Sequence, residues 1–155
     1  MDEPSLLELF VRPLVTSGIP YFITGGVATI IYGEPRFTRE SERSLHGHFN
    51  LVHLESGLVA DCYVAGDDPP HALAFSHRRA LTVNGLEIQV APVEYVIARK
   101  LSYFAQSGST RHLEDVVRIC RVQGELIDQG ALIHMVHMLD VSDAWQRVTT
   151  MLEPT

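Results

Sequence analysis

Residues 21–42 read YFITGGVATIIYGEPRFTRESE. The order of residue types here limits what the chain can fold into. A short apolar strand at 21–24 runs into Gly25-Gly26. A compact run, apolar on nearly every side, follows at 27–32 and is expected to be a buried helix. Gly33 stops it and Pro35 prevents its continuation. Without a Cβ, the glycine backbone approaches a ligand closely, and the new helix offers free N–H groups to an anion. The same pair also suits a tight strand-to-helix turn packed against a neighbour. Glu40 and Glu42 follow, one residue apart, so on an extended backbone both point to one face. They also fit a solvated charged loop across 36–43.

The rest of the chain sorts into a strand-rich part and a helical part. Residues 4–17 carry a stripe of roughly helical period behind Ser5, with Pro13 as an expected kink or early end. Residues 49–54 and 58–64 read as a hairpin around Glu55-Ser56-Gly57. Residues 65–70 read as a loop and 71–76 as weakly helical. Strands at 79–83 and 86–90 flank Asn84-Gly85, the strongest short hairpin signal in the chain. Beyond Pro92, expected at the first helical position, the pattern is wholly helical: 92–106, 110–122 behind Ser109 or Thr110, 124–139 and 142–152. The expected class is α+β with a mixed or antiparallel sheet and a C-terminal helical block. The expected organisation is a single domain over 1–155, strand-rich to about 91 and helical from 92 to 155.

Composition limits the function classes. The chain has 155 residues, of which 46% are hydrophobic, enough to bury a core. Net charge is −7, from 12 basic and 19 acidic residues, which argues against broad nucleic-acid binding. No apolar run is long enough for a membrane span. The first ten residues, MDEPSLLELF, lack the basic start of a signal peptide. Cys62 and Cys120 have no framework spacing and read as two buried free thiols, so the expected location is the cytoplasm.

One further acid stands out. Asp61 lies in the apolar strand LVADCYV. There it needs a partner or a metal, because an unpaired buried carboxylate is costly. A salt bridge to an arginine satisfies it equally well. Three carboxylates converging from neighbouring strands suit Mg2+ or Mn2+. A pair of such ions sits about 3.5–4 Å apart in two-metal sites.

Together, ITGGVATIIYGEPRFTRESE, the acid in VADCYV, and LEIQVAPVEYVIARKLSYF followed by RHLEDVVRIC resemble the nucleotidyltransferase superfamily with the DNA polymerase β-like fold. The likeness is to its minimal bacterial members, including those grouped with AbiEii-type toxins and related antitoxin nucleotidyltransferases, and covers roughly residues 5–122. It implies a nucleotidyltransferase-type sheet and transfer of NMP from an NTP to a hydroxyl acceptor with Mg2+. It implies Gly25, Gly26 and Lys100 as nucleotide-binding residues, and Glu40, Glu42 and Asp61 as metal-holding catalytic acids. A partner protein or an RNA acceptor fits the same likeness. The alternative it implies is a catalytically impaired binding protein, such as the antitoxin-like partner of a toxin–antitoxin pair. Two departures bear on that choice. Glutamates replace the family's aspartates, and a displacement of about 1 Å at reacting groups can cost ~100-fold in rate. The apolar strand and helix expected after Glu42 are also missing, as if a few dozen residues were deleted.

Other residues carry weaker signals. His46, His48 and His53 read as surface, not as a zinc set. His134 and His137 read as a partly buried helix face. Lys100 also fits a snorkelling surface lysine. Glu94 fits an N-terminal capping partner. Asp115 fits a surface pair with Arg111 or Arg118.

Overall fold

The computed structural model describes residues 5–33 and 48–154. Helix dominates, and the strands form two separate antiparallel pairs, so the class is α+β.

The chain enters through a π-helical turn, Leu7–Val11, that continues into α1 (Arg12–Thr16). The Ser5 hydroxyl accepts from the Glu8 N–H at 3.3 Å, as expected of a cap. Pro13 does not end the helix. It sits at the start of α1, where its missing N–H costs least, just after the wider turn. Gly18, at φ +66°, closes the segment.

The expected strand at 21–24 is reduced to one residue. Ile23 bridges in parallel to Val90, donating to the Gln89 carbonyl at 2.8 Å and accepting from the Ala91 N–H at 2.8 Å. The chain then turns into α2 (Gly25–Tyr32), with both glycines inside the first helical turn. Ala28, Thr29 and Tyr32 are buried. Val27 and Ile30 are exposed, so this helix is buried on one side only, against the expectation from its composition. The Tyr32 hydroxyl donates to the Ala91 carbonyl at 2.7 Å, and burial pushes its pKa up to about 12. Gly33 ends the helix in an extended conformation, not a left-handed one. A Cβ there would meet the Thr29 carbonyl oxygen at 3.0 Å and Ile119 Cγ1 at 3.4 Å. The tight contact is with the Thr29 carbonyl of its own helix, while the Ile119 distance is ordinary van der Waals contact.

β1 (His48–Val52) and β2 (Val59–Tyr63) form the expected hairpin, with Asn50 opposite Asp61. Among the described side chains of this hairpin, none belongs to the hydrophobic core. α3 (Pro69–Ser76) follows the loop, starting two residues before the expected weak helix. β3 (Arg79–Val83) and β4 (Leu86–Val90) match the expected strands residue for residue. Asn84 and Gly85 take φ values of +50° and +78°, the type I′ conformation that fits a two-residue hairpin. Leu86, Ile88 and Val90 alternate inward with Leu81 and Val83 behind them.

Four helices complete the fold. α4 (Val93–Ser107) starts one residue after Pro92, which is its N-cap, and ends at Gly108 with φ +71°. α5 (Arg111–Gln123) follows Thr110, its N-cap residue, whose side chain makes no cap bond. The expected helix over 124–139 is interrupted. Gly124–Leu126 forms a 3₁₀ turn, and Asp128 then caps α6 (Gln129–Met138) by accepting from the Ala131 N–H at 2.9 Å. α7 (Ser142–Leu152) is last. α4 lies at the centre, packing against α2, α3, α5, α6 and α7. Every residue from 93 to 98 is buried, and Leu101 follows on the core side. The helical block thus packs on the same core as β4 and α2.

Because Ile97 is wholly buried at this centre, Ile97→Ala is expected to cost about 2–5 kcal/mol of stability. Urea denaturation of the two proteins measures it. A loss under about 0.5 kcal/mol, the range of surface substitutions, contradicts the packing described.

Candidate functional site: a cleft between α2 and α4

The strand-to-helix turn and the middle of α4 meet at a shallow surface cleft too narrow to enclose a water-sized sphere. Thr24, Gly25, Val96, Arg99, Lys100 and Tyr103 line it. Gly25 sits at φ +63°, a conformation that favours glycine, so the turn itself requires this residue. Its carbonyl accepts from the Thr29 hydroxyl at 2.8 Å. Thr24 precedes the helix but makes no side-chain cap bond. The first N–H groups of a helix have no partner within it, so this end offers donors to the cleft. Two of the residues singled out in sequence, Gly25 and Lys100, therefore share one cleft. Gly26 lies beside Gly25 in the first turn of α2.

Lys100 is not a snorkelling surface lysine. Its side chain is 2% exposed, and Nζ donates to Asp115 Oδ2 at 3.0 Å. Asp115 is likewise 2% exposed, so the expected surface pair is a buried one. Its other oxygen accepts from Arg118 at 3.3 Å. Neighbouring α4 and α5 bring the two charges together, which spacing along either helix does not reveal. Glu94 also departs from the expected local cap. It is buried, accepts from Arg79 at 3.1 Å on both oxygens, and accepts from the Asp128 N–H at 2.8 Å. It thereby ties α4 to β3 and to the start of α6.

Of the three acids expected to cluster, only Asp61 lies among the described residues. Asp61 is exposed on β2, so the argument that burial forces a partner or a metal on it does not hold. Among the described residues its strand pairs with β1 only, in a sheet separate from β3 and β4. Glu40, Glu42 and His46 lie outside the described residues. Among the described residues, no three His, Cys, Asp or Glu side chains group as metal ligands. His53 closes its turn by bonding Ser56 Oγ at 2.8 Å. His134 and His137 are exposed on α6, not partly buried as expected. Cys62 and Cys120 are free and half-buried. Burial pushes the Cys120 thiol up to about 11 and, with the charge of Asp61, raises that of Cys62, so neither is an activated nucleophile.

Arg99 is the cleft residue that sequence reasoning passed over. Its Nε donates to the Tyr95 hydroxyl at 3.2 Å, and its guanidinium lies 5.6 Å from the centre of the Tyr95 ring. The Tyr95 hydroxyl also lies 3.2 Å from His71 Nδ1. Phe22 packs on His71, Phe75 and Tyr95, with ring centres 5.1–5.8 Å apart. The one signal in the sequence was adjacency, since Arg99-Lys100 are the only basic residues of α4.

No helix among the described residues is long and apolar enough to cross a membrane. Compared with known proteins, the chain matches no family model and no curated protein.

Removing one partner of the Lys100–Asp115 pair leaves the other charge buried. Asp115→Ala is therefore expected to destabilise the protein by about 3–5 kcal/mol. Replacing both by Lys100→Met and Asp115→Leu should recover most of the loss. Chemical denaturation of the three variants checks this. An Asp115→Ala cost under about 1 kcal/mol, as for an exposed pair, contradicts the burial.

Proposed function

We propose that the protein is a nucleotidyltransferase-like protein that binds the phosphates of an NTP in the cleft between α2 and α4. In this reading it transfers NMP to a hydroxyl acceptor on a protein, an RNA or a small molecule. One observation carries it: Gly25 and Lys100, assigned to phosphate binding from separate stretches of sequence, line the same cleft. The strand-to-helix turn next to β4 and the Pro92-led helix that follows fit the resemblance to that superfamily. The cleft has no room to enclose a ligand, so in this reading the phosphates lie against its surface, with sugar and base in solvent. Glu40, Glu42 and Asp61 are the acids that would hold Mg2+ or Mn2+. Free cysteines fit a reducing cytoplasm.

A second reading has its own support. Asp61 sits on an exposed hairpin outside the core, and the charge of Lys100 is offset by Asp115. Phe49, Leu51 and Val52 of that hairpin are exposed. These features favour a catalytically impaired binder with a protein partner, such as an antitoxin-like chain.

Thermal shift with each of ATP, GTP, CTP and UTP, with and without Mg2+, tests the first reading. A magnesium-dependent rise with at least one NTP is expected, with loss of the rise in Asp61→Ala. Incubation with α-labelled NTP and candidate acceptors then separates enzyme from binder. No shift with any NTP sinks the catalytic reading. Binding without label transfer leaves the second.

A further inference from the structure

We propose that Arg99 is the anion-contact residue of the cleft, held in place by Tyr95, and that its ligand is a polyphosphate. This rests on the reading of the cleft as a phosphate site and names the residue that supplies its charge. The two cations of the cleft differ in what they already neutralise. Lys100 is buried against Asp115 at 3.0 Å. Arg99 is only partly buried, and among the described residues no carboxylate lies within ion-pair distance of it. Asp68 acts on it only as a more distant charge. Burial works against the charged guanidinium, while Tyr95, Tyr103 and Asp68 favour it and leave its pKa raised.

The bracing is specific. The bond to Tyr95 uses Nε, and the guanidinium packs over the Tyr95 ring. The terminal nitrogens are the fork with which arginine grips phosphate oxygens in bidentate fashion. Tyr95 is itself 2% exposed and fixed among Phe22 and His71. A partly desolvated, pre-oriented guanidinium loses little rotamer freedom on binding, which is the condition for a strong charge-assisted contact.

The test is calorimetric titration of inorganic triphosphate, and separately of ATP with Mg2+, into the full chain. The wild type is expected to bind triphosphate. Arg99→Ala should weaken this at least about tenfold, the loss of one charge-assisted hydrogen bond. Arg99→Lys should recover part of it. Tyr95→Phe, which keeps the ring, should weaken binding while the far-ultraviolet circular dichroism spectrum stays that of the wild type. Arg99→Gln, which keeps the stem without the charge, carries the test if the alanine variant fails to fold. Absence of triphosphate binding by the wild type overturns the proposal. So does unchanged affinity in both Arg99→Ala and Arg99→Gln, which would leave the phosphate reading to the α2 backbone. Unchanged affinity in Tyr95→Phe overturns the role of Tyr95. Arg99-dependent triphosphate binding without NTP transfer supports the proposal while the transferase reading falls.

Discussion

Lys100 and Asp115 meet at 3.0 Å with both side chains almost wholly withdrawn from water. Buried charges in that position need charged partners, because the desolvation cost of either alone is several kcal/mol; Asp115 is also bonded by Arg118. The pair therefore fixes how α4 and α5 sit side by side. Glu94 does the same at the start of α4, binding Arg79 on β3 and the backbone of Asp128 before α6. Between these two polar ties, α4 contributes Val93, Val96, Ile97 and Leu101 to the core. Most other elements are located by their contact with this helix. The apolar contacts supply the stabilisation, and the ion pairs limit it to one register.

The same helix gives the cleft its chemistry. One turn of α4 places Arg99 and Lys100 at the entrance to α2, beside Gly25. The inner cation is spent on structure and the outer one is held by an aromatic hydroxyl. Lys100 thus resembles a buttress under the cleft floor, whereas Arg99 has donors to offer. The resemblance to nucleotidyltransferases supplied Lys100 as the basic residue. The distribution of charge among the neighbours shifts the emphasis to the residue before it.

Much of the fold was legible because the signals are local. Asn84-Gly85 fixes a hairpin by the φ values it admits, and both its strands came out at the expected residues. Pro92, Gly108 and Gly124 mark helix ends for reasons contained in their own backbones. The break between the 3₁₀ turn and α6 was missed although Asp128 is an ordinary cap, since a continuous apolar pattern masked it. The strand at 21–24 shrank to a single bridge because only Ile23 finds the edge of β4. The one-sided burial of α2 was not legible either. Its composition is apolar all round, and only its neighbours decide which face stays covered.

Of the candidate site, sequence determined the residue types and their local geometry: a glycine required by positive φ at the start of α2, and two consecutive cations on α4. Tertiary structure decided what those groups are worth. Placing Asp115 against Lys100 put the candidate ligand contact in a buried ion pair at the cleft wall. Leaving Asp61 exposed on a hairpin outside the core removed the desolvation argument for a metal there. The physical reason is common to both. A charge takes its energy from its dielectric surroundings and its nearest opposite charge, and residues distant in sequence supply both.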